Sequence, residues 1–231
     1  MHDSPEPQSH PETEDQAIDI SALAEFTVPV VLETRKRFKP DAKHRVTKHA
    51  RRLYTAMLLF EAGLGGLALA IGYWLESPSW RTWDWSPRAW WLGVLGTIPP
   101  VILLVILIYA DWDPLARFRT LLEERVAPIF ASLRWWQLLL LAIAAGWGEE
   151  LLFRGLLQPL LCQWLGTWAG IVLLAVVFGL AHALSRLYFV LTLAMSLYLS
   201  WLLESTGNLT VPILVHALYD AVALIIMQKE D

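Results

Sequence analysis

Read as apolar and polar positions, the chain alternates long hydrophobic runs with short polar breaks. Six runs stand out: about Leu53–Leu75, about Trp90–Tyr109, one beginning near Trp135, about Trp168–Leu184, about Leu187–Leu203 and about Val211–Met227. About 20 apolar residues in a helix cross a hydrocarbon core of about 30 Å, so each run predicts a membrane-spanning helix. The fold class expected is all-α, a polytopic membrane helix bundle of about six transmembrane helices. Pro99-Pro100 should kink the second span. If the chain turns at Gly166-Thr167, the third span continues past Pro159 as a kinked helix. Between spans two and three, Asp111–Arg134 sets Arg117, Arg119, Arg125 and Arg134 beside Leu115, Phe118, Leu121 and Leu122. That spacing predicts an amphipathic helix on the membrane surface. In span one, Gly63, Gly65 and Gly66 offer a small-residue face for close helix approach.

Composition agrees: 56% of the 231 residues are hydrophobic and 17% charged, with a mean hydropathy of +0.45, which argues for a membrane protein. Residues 1–20 are rich in proline and acidic groups and predict disorder, with no basic-then-apolar secretory signal. Residues 21–34 predict a short surface helix or strand. Nine of the 18 Lys+Arg residues lie between Arg35 and Arg52, just before the first span. Such a cluster sets topology rather than nucleic-acid binding, for it abuts a span and has no aromatic interleaving. With the arginines of 111–134 on the same side, both termini are expected in the cytoplasm, in the plasma (inner) membrane of a prokaryote. Three segments follow: 1–52, an acidic then basic cytoplasmic segment; 53–134, two spans and the amphipathic connector; and 135–227, the core. Trp74, Trp80, Trp83, Trp85, Trp90 and Trp91 read as an interfacial belt. Cys162, the one cysteine, is expected as a free thiol packed in the bundle.

The charges inside the runs change the picture. Span three carries Glu149-Glu150-x-x-x-Arg154, where a charge costs about 2.5–3.5 kcal/mol on insertion scales and so faces the bundle interior and pairs. Glu150 and Arg154 are i,i+4 and share a face, while Glu149 points about 100° away. That suggests Glu150 anchored by Arg154, and Glu149 freer to accept a proton. Phe178 and His182 are i,i+4 in span four, and His216 and Asp220 are i,i+4 in span six, where Pro212 suits a first helical turn. An Asp beside a His commonly orients it. Glu149 and His182 lie nearly equally far from a turn at Gly166, 17 and 16 residues, so they should sit level. Glu61, in span one, reads as a buried hydrogen-bonding group or as a polar contact to this cavity.

The ordered set Glu149-Glu150-x-x-x-Arg154, Phe178-x-x-x-His182 and His216-x-x-x-Asp220 resembles the CPBP family, the intramembrane glutamic endopeptidases also called the CAAX prenyl endopeptidase or Abi family. The resemblance covers about residues 135–227. It implies hydrolysis of a peptide bond in a membrane-associated peptide or membrane-protein substrate, lipidated or not, with the lipid bilayer as partner and no cofactor. In that reading Glu149 activates water and His182 positions it. His216 and Asp220 line the oxyanion side, and Glu150 and Arg154 shape the site. One position departs from the pattern: Asp220 stands where relatives often carry Asn, and an ionised Asp220 would repel an oxyanion.

Two other readings use the same residues. Glu149, His182 and His216 form a His₂Glu set of the kind that holds catalytic zinc, although HExxH is absent. Alternatively the charged residues are the polar core of a non-catalytic membrane scaffold or immunity-type protein.

Overall fold

The structure, a computed structural model, describes residues 40–76 and 82–229. The expected disorder of residues 1–20, the helix or strand at 21–34, Trp80 and four of the nine residues of the basic cluster fall outside these residues. The chain divides between Val46 and Thr47, and the bundle and its site lie within 47–231. Helix α1 spans Pro40–Trp74 and α2 Pro87–Tyr109; the connector forms α3 (Asp113–Arg125) and α4 (Ala127–Phe130). A continuous helix then runs from Trp135 to Leu165 as α5 (Trp135–Glu150), a π-helical segment (Leu151–Leu157) and α6 (Gln158–Leu165). Helices α7 (Thr167–Ala181), α8 (Arg186–Thr206) and α9 (Thr210–Lys229) complete the chain.

Among the described residues, five stretches are long and apolar enough to cross a membrane: Ala50–Trp74, Pro87–Tyr109, Trp135–Leu165, Arg186–Thr206 and Thr210–Gln228. The expected fourth span is shorter than the sequence implied, ending at Ala181 after 15 residues. Such a helix rises only about 22 Å at 1.5 Å per residue. It stops because Ser185 caps the next helix: its Oγ accepts a hydrogen bond from the Tyr188 amide at 3.1 Å, and α8 restarts at Arg186. His182 is therefore the C-terminal cap of α7 rather than a residue inside a full span.

The connector folds as an amphipathic helix with Leu115 buried. Arg119 reaches back to the end of α2, donating to the carbonyls of Leu107, Ile108 and Ala110 at 3.1, 2.7 and 3.0 Å. It satisfies carbonyls that have no partner within their own helix. Helix α2 passes through Pro99-Pro100 without interruption. Pro100 has no N–H for the Gly96 carbonyl four residues earlier, and the Tyr198 hydroxyl of α8 donates to that oxygen at 2.8 Å.

Two sets of contacts tie the loop ends together. At one end the Leu209 amide donates to the Thr82 carbonyl at 3.0 Å, and the Asn208 side chain donates to the Asp84 carbonyl at 2.8 Å. At the other, the Gln228 side chain donates to the Leu133 carbonyl and Phe118 stacks on Tyr188 at 5.6 Å. Exposed Trp74, Trp85, Trp90, Trp91, Trp164 and Trp168 belong to the first end, and exposed Trp112, Trp135 and Trp136 to the second. Both ends thus carry the indoles that favour a membrane–water boundary.

Helix α9 is the centre. Its first turns, Leu209 to Val215, are buried against Ala68, Leu151 and Leu156 on one side and Ala89, Leu199 and Leu202 on the other. This settles how His216, so near the helix start, reaches the cavity: span six begins inside the bundle. Gly146 of α5 lies against Ala217 of α9 so closely that a methyl group there would sit 2.7 Å from the Ala217 nitrogen. That approach brings Glu149-Glu150 beside His216 and Asp220.

Candidate active site

Three elements supply the charged residues. On α5, Glu149 and Glu150 are buried, and Arg154 of the following π-helical segment is fully buried. The segment's wider winding comes just before Pro159, which lacks the N–H that an α-helix would offer to the Gly155 carbonyl. Single π turns of this kind recur at functional sites because they re-aim neighbouring side chains.

Arg154 is the anchor. Its guanidinium donates to Glu150 Oε1 at 2.8 Å and, through its other terminal nitrogen, to Ser196 Oγ at 2.8 Å and the Ser196 carbonyl at 3.3 Å. It also lies 4.7 Å from the Phe178 ring centroid, a cation–π distance. The expected Glu150–Arg154 pair is therefore present, with an addition that spacing could not reveal. Glu150 Oε1 also accepts from His216 Nδ1 at 2.8 Å. One carboxylate oxygen binds α5 to α9 through the imidazole, and Arg154 binds both to α8.

Glu149 is turned the other way, as expected. Its Oε2 lies 3.5 Å from His182 Nε2 and makes no hydrogen bond. The expectation that these two groups sit level is met. His182 Nδ1 lies 2.9 Å from the Phe178 carbonyl. Since a carbonyl only accepts, Nδ1 carries a proton. The neutral ring then presents the Nε2 lone pair to Glu149, so that two acceptors stand side by side. Phe178 holds the imidazole in place, stacking on it at 4.4 Å.

His216 Nε2 faces Asp220 Oδ2 at 3.4 Å, so Asp220 is placed to orient His216. All six sequence candidates, Glu149, Glu150, Arg154, His182, His216 and Asp220, are drawn into one cluster. Three contributors had a weaker signal or none. Phe178 was visible only as part of its spacing with His182. Ser196 is a serine in an apolar run that lacks a nucleophile motif and had no sequence signal for this role. Glu61 of α1, whose carbonyl lies against Gly148, has one carboxyl oxygen buried without a hydrogen-bond partner.

The zinc reading asks Glu149, His182 and His216 to converge. Among the described residues no group of three His, Cys, Asp or Glu side chains is disposed to hold a metal ion. His216 lies instead between Glu150 at Nδ1 and Asp220 at Nε2, and the three side chains are not arranged as a ligand set.

Comparison with known proteins agrees with the geometry. The chain is 28% identical over 152 residues to an uncharacterized protein, YpbD, of Bacillus subtilis (strain 168), covering 62% of this chain and 71% of that one. No solved structure matches. The family model that matches is the Rce1-like type II CAAX prenyl endopeptidase, over residues 131–222, a stretch that holds all six charged residues of the cluster. Over that stretch this integral membrane protein is similar to the Rce1-like type II CAAX prenyl endopeptidases.

Proposed function

We propose that the chain hydrolyses a peptide bond of a membrane-associated, prenylated substrate, with Glu149 as the general base for an attacking water and no metal ion in the step. The observation that supports this most is the pair of adjacent acceptors, Glu149 Oε2 and His182 Nε2, 3.5 Å apart. A water that donates one hydrogen to each is held with its oxygen lone pairs turned outward. Glu149 takes one proton as the oxygen adds to the scissile carbonyl carbon, and returns it to the amine nitrogen as the C–N bond breaks. The negative charge that develops on the carbonyl oxygen falls on the side of His216, whose ring is held by Glu150 at Nδ1 and Asp220 at Nε2. When protonated, that ring offsets the charge through space rather than by a hydrogen bond of its own. In this role Asp220 works through His216, which removes the conflict between a carboxylate and an oxyanion.

The test uses the full chain in lipid vesicles with an internally quenched farnesylated peptide ending in a Cys-aliphatic-aliphatic-X sequence. Wild type should cleave it in the presence of metal chelators. Glu149→Gln should reduce kcat by about 10²–10⁴-fold, the usual contribution of a positioned base. Undiminished turnover in Glu149→Gln, or activity lost to chelators and restored by zinc, would overturn the mechanism.

The same reading places both termini on the cytoplasmic face of a prokaryotic inner membrane, with the basic Arg35–Arg52 segment and the arginines of the connector on that face. Terminal reporter fusions that are active only outside the cytoplasm should stay silent; signal from either would reverse the orientation.

A further inference from the structure

Glu61 lies on α1, outside the residues that match the family, yet α1 is pressed against the catalytic helix at this point. Gly148 packs on the Glu61 carbonyl, and Gly65, one turn on, packs on the Trp147 ring. Neither contact leaves room for a Cβ. Glu61 Oε2 is buried without a hydrogen-bond partner, and so is Glu149 Oε2. A carboxylate serving only as a polar staple between helices would have a donor opposite it, and Glu61 has none at this oxygen.

Charge balance narrows its role. The carboxyls in the cluster are Glu61, Glu149, Glu150 and Asp220; the groups able to carry positive charge are Arg154, His182 and His216. Four potential anions thus face at most three cations. An uncompensated buried charge is costly, several kcal/mol even after relaxation (about 3–5 when one partner of a buried pair is removed). The cluster therefore holds at least one proton on a carboxyl. Glu150 accepts from both Arg154 and His216, Glu149 stands beside His182, and Asp220 stands beside His216. With His182 neutral, its Nδ1 proton on the Phe178 carbonyl, Glu61 and Glu149 are the members without a cation in contact.

We propose that Glu61 is a positioning residue whose carboxyl holds a proton in common with Glu149, so that one member of the pair is neutral while the other is charged. This rests on the reading of Glu149 as the base. It gives that base a neutral neighbour instead of a second negative charge. Two carboxyls in one low-dielectric site titrate as a pair rather than separately.

Infrared difference spectroscopy of the purified full chain in lipid vesicles tests this without substrate. Wild type at neutral pH should show the carbonyl stretch of a buried carboxylic acid. Glu61→Gln should lose that band, Glu61→Asp should keep it at a shifted position, and Glu149→Gln should shift it, because the pair is broken. A band that persists unchanged in Glu61→Gln, its absence from wild type, or a band indifferent to Glu149→Gln would each overturn the proposal. Thermal unfolding of each variant confirms that folded protein is compared. Since no turnover is read, failure here is distinct from failure of the peptidase reading, which the Glu149→Gln kinetics decide.

Discussion

His216 Nδ1 lies 2.8 Å from Glu150 Oε1, the same oxygen that accepts from Arg154 at 2.8 Å. Glu150 is thus the joint between α5 and α9, and its loss strands a fully buried guanidinium. Glu150→Gln should lower stability by about 3–5 kcal/mol, the cost of breaking a buried ion pair from one side. Replacing both partners, as in Glu150→Gln with Arg154→Met, should recover part of that loss because no charge is left unpaired. Thermal unfolding in detergent measures both. A single variant as stable as wild type would show that Glu150 is not the joint.

Glu149 and His182 should behave in the opposite way. The His182 side chain is 27% exposed and bonds only to the carbonyl end of its own helix through Nδ1, so little packing depends on it. His182→Ala should leave the unfolding temperature nearly unchanged while reducing kcat on the farnesylated peptide by about 10²-fold or more, the lower range for a group that assists proton transfer. A variant with wild-type kcat would remove His182 from water positioning.

Asp220 has a sharper test. If it orients His216 through Nε2, the isosteric Asp220→Asn keeps an oxygen at the same place and should retain turnover within about tenfold, an oriented hydrogen bond being worth about 0.5–1.5 kcal/mol. Asp220→Ala removes the contact and should lose more in kcat than in KM. Equal activity in Asp220→Ala and wild type would mean that the 3.4 Å contact has no part in the reaction.

How far these relationships could be read in advance depends on their range along the chain. The Glu150–Arg154 pair and the His216–Asp220 pair are i,i+4, so helical periodicity alone brought them together. The level of Glu149 with His182 followed from counting residues to the turn at Gly166. By contrast, the bond from Glu150 to His216 spans 66 residues and that from Arg154 to Ser196 spans 42, and neither has a local signature. The length of α7 was misjudged because Ala183 and Leu184 continue its apolar run. The capping by Ser185 that ends it is one polar residue with no weight in a hydropathy pattern. The π-helical segment was anticipated only as a kink at Pro159. Of the three glycines in span one, only Gly65 makes the expected close approach; Gly63 and Gly66 face open space.

The contrast among glycines gives a final prediction about how α1 supports the site. A methyl group at Gly148 would collide with the Glu61 carbonyl, and backbone cannot move aside as a side-chain end can. Gly148→Ala should therefore push α1 away from α5 and lower stability by about 1–3 kcal/mol, the usual penalty for overpacking. It should also reduce turnover, since residue 148 directly precedes Glu149. Gly63→Ala is the control: with open space around it and a gain in helix propensity of about 1 kcal/mol over glycine, it should be neutral or stabilising and leave kcat unchanged. If Gly148→Ala proved as stable and active as Gly63→Ala, the crossing of α1 on the catalytic helix would not be what holds Glu61 against the cluster.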